Sequence, residues 1–283
     1  MNLAELEKFF VQSLSTLYDE QETKALFRYY LEEKYHFSTS DFLLPAEHIF
    51  RLDEIENDVV ALSLGKPIQQ ILGYAYFMDW KFLVNEFTLI PRPETEELVE
   101  WIAKDLHKRT NELRVLDIGT GSGCIPIALK HLLPNAQISA IDFSAQAIAM
   151  AKKNAKYNKV EVDFFVHDIF DKFPTEKKYD VLVSNPPYVR NCEKEAMHQN
   201  VLNFEPETAL FVADDNPLKY YQRIIEVAKE ILTAEGVLYL EINQYLSQEM
   251  TELYSGDYEY VELRKDLSGH YRMLKASNQK NNL

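Results

Sequence analysis

Arg114-Val115-Leu116-Asp117-Ile118-Gly119-Thr120-Gly121-Ser122-Gly123 is the stretch that decides the fold. A short apolar strand runs into three glycines at alternate positions, and a helical pattern follows to about residue 133. The same rhythm continues downstream. Residues 137–142 read as a second strand, 144–158 as a helix, 160–166 as a third strand and 180–184 as a fourth. Residues 217–232 read as a helix, 236–241 as a fifth strand, and 258–263 with 271–274 as closing strands. Strands that alternate with helices predict a mostly parallel sheet covered on both faces, an α/β Rossmann-like domain over residues 93–276. Ligands of such sheets sit outside the carboxyl ends of the strands.

Upstream the pattern differs. Leu3, Leu6, Phe9, Phe10 and Leu14 recur at helical spacing, as do Ala25, Leu26, Tyr29 and Tyr30 and then Leu52, Ile55, Val59, Val60 and Leu62. Residues 1–75 therefore read as a small helical bundle domain whose aromatics form its core. Residues 76–92, rich in aromatic and β-branched residues around Asn85-Glu86, read as a β-hairpin linker. The tail from Ser277 is polar.

The bulk composition excludes several classes. With 46% hydrophobic and 27% charged residues the chain reads as a soluble globular protein. A formal net charge of -15 argues against a general nucleic-acid binder, which needs a basic footprint, and fits a protein or small-molecule partner. Cys124 and Cys192 make no metal-ligand pattern and no disulfide framework, so no metal is expected and reducing cytoplasm is the simplest compartment. The N-terminus lacks an apolar signal core, and no stretch is long and apolar enough to span a bilayer.

The glycine loop of residues 119–123 lets the backbone turn sharply and a ligand approach closely. It is not a dinucleotide fingerprint, because the third glycine comes one residue early, and it lacks the Gly-Lys-Ser/Thr of a P-loop. The carboxylates narrow the choice. Asp117 closes the first strand, where it can face a cationic amino-acid moiety. Asp142 closes the second, where it can accept from ribose hydroxyls. Asp168 follows the third, where it can meet an adenine amino group beside the apolar Ile169 and Phe170. Each alone could be an ordinary strand-end carboxylate. Together with Gly119, Thr120, Gly121, Ser122 and Gly123 they describe a site for S-adenosylmethionine rather than for a phosphate, which three acids would repel.

Asn185-Pro186-Pro187-Tyr188 follows the fourth strand. Two prolines fix φ, cannot continue the ladder and leave carbonyls free to meet a ligand. The Asn185 side-chain oxygen and the Pro186 carbonyl are two acceptors at fixed positions, which suits a planar –NH₂ group. Tyr188 offers a π-face to the substrate plane. An amide or exocyclic amine releases its proton readily only once the methyl has arrived, so this chemistry needs positioning rather than a strong base.

Taken in order, the chain resembles the HemK/PrmC family of protein-(glutamine-N5) methyltransferases that act on peptide chain release factors. The resemblance rests on residues 67–73 (Pro-Ile-Gln-Gln-Ile-Leu-Gly), 91–96 (Pro-Arg-Pro-Glu-Thr-Glu), 117–123 and 185–188. It continues through Glu205-Pro206 with Ala209-Leu210, and Asp266-Leu267-Ser268-Gly269. It implies a class I methyltransferase domain, with Gly119 to Gly123, Asp142 and Asn185 touching the cofactor and Asn185 to Tyr188 clamping the glutamine of a Gly-Gly-Gln tip. It also implies an adenine contact near Ile169 or Phe170 and a helical front domain that helps to grip the release factor. Departures from the family pattern lie at Phe211 to Asp215, Asn243 and His270, outside the expected chemical core. A ribosomal-protein glutamine and an exocyclic amine of nucleic acid are the alternative substrates. The second would call for a basic channel or recognition domain that the sequence does not show.

Overall fold

The computed structural model describes residues 1–43, 49–107, 109 and 112–278. The chain forms two units, Met1–Ala75 with Met197–Phe204, and Tyr76–Ala196 with Glu205–Leu283. The first begins with helices α1 (Leu3–Leu14), α2 (Glu20–Tyr35), α3 (Thr39–Leu43), α4 (Leu52–Ser63) and α5 (Ile68–Leu72). α1 starts with a reciprocal capping box between Asn2 and Glu5, and Asp19 caps α2. Their apolar stripes meet in one core of Leu6, Phe10, Leu14, Phe27, Tyr30, Leu31, Ile55, Val59 and Leu62. Phe10 packs edge-on to Phe27 at 5.1 Å, and Tyr30 donates to Asp58 at 2.6 Å. The aromatics are packing groups here.

A hairpin of β1 (Tyr74–Phe77) and β2 (Trp80–Leu83) follows, and the division between the units falls within its first strand. Then come α6 (Pro93–Leu106), β3 (Arg114–Ile118), α7 (Cys124–Leu132), β4 (Gln137–Asp142), α8 (Ala145–Tyr157), β5 (Asp163–Val166), β6 (Tyr179–Ser184) and the short β7 (Val189–Arg190). The next helix, α9 (Gln199–Phe204), belongs to the first unit. There the Gln70 side chain donates to the Phe204 carbonyl at 2.7 Å, and Gly65 lies against Asn200 and Phe204. The chain continues through α10 (Glu207–Leu210), β8 (Phe211–Val212), α11 (Lys219–Ile231), β9 (Leu232–Glu241), α12 (Ser247–Ser255), β10 (Tyr260–Lys265) and β11 (Tyr271–Ser277).

Among the described residues a seven-stranded sheet runs in the order β10-β11-β9-β6-β3-β4-β5. The five strands from β9 to β5 are parallel, and β10 and β11 close it antiparallel. Successive side chains alternate between two cores. Val115, Val181, Val183, Val237 and Tyr239 pack under α6, α7 and α8, while Leu116, Leu182, Leu238 and Leu240 pack under α11 and α12.

The third strand is shorter than its apolar run predicts, starting at Asp163 instead of 160. The Val160 amide is used on the end of α8, where it donates to Ala155 O at 3.0 Å after Lys159 turns left-handed. The last strand reaches a buried Ser277, so it extends into the predicted tail, and residues 279–283 lie outside those described.

Gly123 holds α7 against α8. Its φ is 81°, and a Cβ there would sit 3.0 Å from Ala151 Cβ and 3.2 Å from Ala151 Cα. Both the conformation and the space demand glycine. Gly123→Ala is expected to lower stability by about 1–3 kcal/mol. Urea unfolding checks this; an unchanged midpoint would show that the helix pair yields freely.

Candidate active site

The register of the parallel strands builds the site. Ile118 pairs with Ile141 on one side and with Ser184 on the other, and Ser184 pairs with Leu240. The next residue of each strand or loop is therefore Gly119, Asp142, Asn185 and Glu241, side by side at the carboxyl end of the sheet. The Ser184 hydroxyl donates to the Ile118 carbonyl at 2.7 Å and locks the two central strand ends together. A cavity of about 660 Å³ opens over these ends.

One side of the cavity is the glycine loop. Gly119 and Thr120 donate their amides to the Ile141 carbonyl at 2.9 and 3.0 Å, which folds the loop over β4. Gly119 and Gly121 take left-handed φ values of 77° and 54°, with no atom within 4 Å of where a Cβ would lie. Asp142 accepts from Gly121 N through one oxygen and from Ser144 N through the other, both at 2.9 Å. Burial raises its pKa, and these two backbone donors partly offset the rise.

Further along, Asp168 accepts from Phe170 N at 2.9 Å, which turns the chain so that Ile169 is buried and Phe170 half-exposed. Phe170 is held edge-on by Tyr220 at 5.4 Å, with Lys219 Nζ 4.5 Å above its ring centre. Both Lys219 and Tyr220 line the cavity. Sequence reasoning missed them, because α11 carries no local mark that its first residues return to the end of β5.

Gly119, Thr120, Gly121, Ser122, Asp142, Asp168, Ile169, Phe170, Asn185, Pro186 and Pro187 all line this one cavity. Three predicted site residues do not. Gly123 faces α8. Asp117 is fully buried behind the loop, with neither oxygen in a hydrogen bond among the described residues. Tyr188 turns its hydroxyl inward to Glu241 at 2.8 Å, and its carbonyl accepts from Asn243 at 2.9 Å, so its ring is not presented to the cavity. Burial and the Glu241 charge hold this phenol well above its usual range.

Asn185 lines the cavity with its amide orientation fixed from behind. Its Nδ2 donates to Glu241 Oε2 at 2.9 Å and to Thr95 Oγ1 at 3.1 Å, and its Oδ1 makes no hydrogen bond among the described residues. The Pro186 carbonyl likewise accepts none among the described residues. The pair is a double acceptor suited to a planar –NH₂ group.

Glu241 is buried. It receives Thr95 Oγ1 at 2.6 Å together with the Asn185 and Tyr188 donors. Burial raises its pKa, offset by the Thr95 and Tyr188 hydrogen bonds and the Arg272 charge. Neither Glu241 nor Thr95 was singled out from the sequence. The available signal was an acid ending an otherwise apolar strand beside the one that carries Asn185.

The far wall joins two segments distant in sequence. Arg92 pairs with the buried Glu205 at 2.5 Å, and Glu205 also accepts from Ile90 N at 3.0 Å. Residues 87–92 and 206–209 then face the cavity together. At the start of α7 the Cys124 thiol also lines it, and burial pushes that thiol up to about 12, so it is a neutral packing group. The lining fits an adenosine with an amino-acid tail: the acids Asp142 and Asp168 and the side-chain-free surface of Gly119 and Gly121 on one side, the Phe170 ring on another, and acceptors at Asn185 where a reacting nitrogen would enter.

A family model described as "Methyltransferase small domain" matches residues 95–207. The chain is 45% identical over 276 residues to a release factor glutamine methyltransferase of Flavobacterium psychrophilum, covering 95% of this chain and 96% of the relative. It is 41% identical over 271 residues to the one of Bacteroides thetaiotaomicron, covering 94% and 96%. It is 37% identical over 280 residues to that of Streptococcus pneumoniae, covering 97% and 98%. Among solved structures it is similar to the hMettl16 catalytic domain in complex with a 3′UTR hairpin. The TM-score is 0.55 at 18% identity, over 78% of this chain and 79% of the other. It is also similar to a T. thermophilus 16S rRNA methyltransferase (RsmC) in complex with AdoMet and guanosine. There the TM-score is 0.53 at 18% identity, over 73% and 50%. These two likenesses concern the fold.

Asp117 gives the site a pH signature. Burial raises its pKa from 3.8 to about 7, and the Asp142 charge adds to the rise. Between those values the folded protein keeps a proton that the unfolded chain has released, so this group's contribution to stability falls as pH rises from about 4 to about 7. Asp117→Asn removes that slope. The melting temperature of the variant should gain on the parent across this window and level off above it. A difference that does not change with pH would refute the shift.

Proposed function

The chain belongs to the release factor glutamine methyltransferase family, and on that premise we propose that it transfers a methyl group from S-adenosylmethionine to the side-chain amide nitrogen of the glutamine in the Gly-Gly-Gln motif of peptide chain release factors. The observation that carries this reading is the Asn185 amide. With both N–H groups taken by Glu241 and Thr95, it has only an acceptor to offer the cavity.

In this reading Asn185 Oδ1 and the Pro186 carbonyl receive the two hydrogens of the substrate amide. That fixes the amide plane and leaves the nitrogen's π-face as its only route to an electrophile. Bound S-adenosylmethionine supplies a methyl carbon made electrophilic by its sulfonium. Asp142 and the glycine loop hold the ribose and amino-acid part, Asp168 with Ile169 and Phe170 the adenine, and Asp117 supports the loop from behind. As the N–CH₃ bond forms and the sulfonium C–S bond breaks, the nitrogen becomes acidic and loses one proton to solvent while keeping the other N–H, so the chain needs no strong base. Tyr188 acts through Glu241 rather than by touching the substrate. The first unit, rich in acidic residues, grips the release factor. The enzyme works in the cytoplasm; no described helix is long and apolar enough to cross a membrane. The alternatives, a ribosomal-protein glutamine or a nucleic-acid amine, are not favoured by relatives that carry the release-factor name over nearly the whole chain.

Incubation with labelled S-adenosylmethionine and a purified release factor, followed by mass spectrometry, should place one methyl on the Gly-Gly-Gln glutamine. Label on naked RNA or DNA instead would reverse the assignment. Asn185→Ala should keep the fold and lose about 10²-fold in rate; single-turnover kinetics checks this, and an unchanged rate would remove the clamp.

A further inference from the structure

Four side chains that do not touch the reacting atoms in this reading, Thr95, Tyr188, Tyr221 and Arg272, converge on the buried Glu241. Thr95, from the Pro-Arg-Pro-Glu-Thr-Glu segment, donates to Glu241 Oε2 at 2.6 Å. Tyr188 donates to Oε1 at 2.8 Å. Arg272 places its charge near both Glu241 and Tyr188, and is itself held by Asp266 of the Asp-Leu-Ser-Gly segment at 3.3 Å and by Gln244 at 3.4 Å. Tyr221, on α11, donates to the Glu241 carbonyl at 3.1 Å. Of these residues Thr95 lines the cavity, whereas Tyr188, Tyr221, Arg272 and Glu241 do not. With three donors on its two oxygens, this carboxylate is not free to take a proton from a substrate. Only one of its contacts leads to the chemistry: Asn185 Nδ2 at 2.9 Å.

We infer that Glu241, assisted by Thr95, is the positioning residue that fixes which end of the Asn185 amide faces the substrate. A terminal amide is nearly symmetric in shape, and rotation by half a turn about χ2 exchanges oxygen for NH₂. Turned the wrong way, Asn185 would point a donor at a substrate group that is itself a donor. The Thr95 hydroxyl cannot decide the matter alone, since a hydroxyl both donates and accepts. Thr95 spends its hydrogen on Glu241, which leaves only a lone pair for Asn185. A carboxylate accepts only, so Glu241 sets the polarity of the whole chain of hydrogen bonds: it makes Thr95 an acceptor toward Asn185 and makes Asn185 present oxygen. Thr95 and Tyr188, from two separate motif segments, and Arg272, held by Asp266 of a third, therefore support one amide orientation.

This rests on the reading of Asn185 as the glutamine clamp, and a double-mutant cycle separates the two. Single-turnover methylation of a purified release factor is measured for the wild-type protein, Glu241→Met, Asn185→Ala and the double variant, with S-adenosylmethionine affinity and melting temperature alongside. No methylation by the wild-type protein removes the clamp reading, and this inference with it. With the wild type active, Glu241→Met should lose about 10²-fold in rate at nearly unchanged cofactor affinity. It should cost nothing further in the Asn185→Ala background. Glu241→Gln, which can still offer its oxygen to Thr95 and Asn185 and its NH₂ to the Tyr188 oxygen, should keep the rate within a few-fold. Thr95→Ser should behave like wild type and Thr95→Val like a mild Glu241→Met, which keeps the test open should Glu241→Met fail to fold. Losses that add across the cycle, or a Glu241→Gln as damaged as Glu241→Met, would overturn the positioning role.

Discussion

The floor of the cavity is set by a single row of the sheet. Ile118, Ile141, Ser184 and Leu240 lie in register across four parallel strands, and the residues that follow them are the first of the glycine loop, Asp142, Asn185 and Glu241. A slip of one residue in any strand would turn its side chains to the opposite core. The alternation of Val115, Val181, Val183 and Val237 toward one set of helices and Leu116, Leu182, Leu238 and Leu240 toward the other makes such a slip expensive. The hydrophobic pattern that stabilises the domain is thus also what aligns the polar groups at its end. The Ser184 to Ile118 hydrogen bond ties the central pair together at this end.

The buried acids Asp142, Glu205, Glu241 and Asp117 are each compensated differently. Asp142 is met by two backbone amides, and Glu205 by the Arg92 guanidinium and the Ile90 amide. Glu241 is met by two hydroxyls and a side-chain amide. Asp117 is met by no hydrogen bond among the described residues. An unpaired buried carboxylate is held by gaining a proton rather than by a partner. Hence the one acid without a partner titrates near neutrality, while Glu205 ties two distant segments into one wall.

Much of this was legible in the sequence, for a physical reason. Buried parallel strands are short apolar runs, and their ends are marked by the first residues that cannot be buried cheaply. Asp142, Asp168 and Asn185 were recognisable on that ground, and the structure brings them to one cavity. What failed was inference about direction. Asp117, Gly123 and Tyr188 stand beside lining residues in sequence, yet each turns away: Asp117 into the interior, Gly123 toward Ala151, Tyr188 toward Glu241. A one-residue step along a loop reverses what a side chain sees, and no local pattern reports it. Thr95, Lys219, Tyr220 and Glu241 were missed for the complementary reason. They reach the site from elements distant in sequence, and only strand order reveals the neighbours.

The helical unit carries a consequence for how the chain is made. Its last piece, Met197–Phe204, carries α9, while the rest ends at residue 75, and the Gln70 side chain and the surface at Gly65 meet residues of α9. At about 5–20 residues per second of synthesis, the bundle emerges from the ribosome and then waits on the order of ten seconds for the segment that completes it. During that interval Gln70 has no Phe204 carbonyl to meet, and strands β3, β4, β5 and β6 emerge. Completion of the first unit is therefore a late event in synthesis, although the unit stands first in the chain.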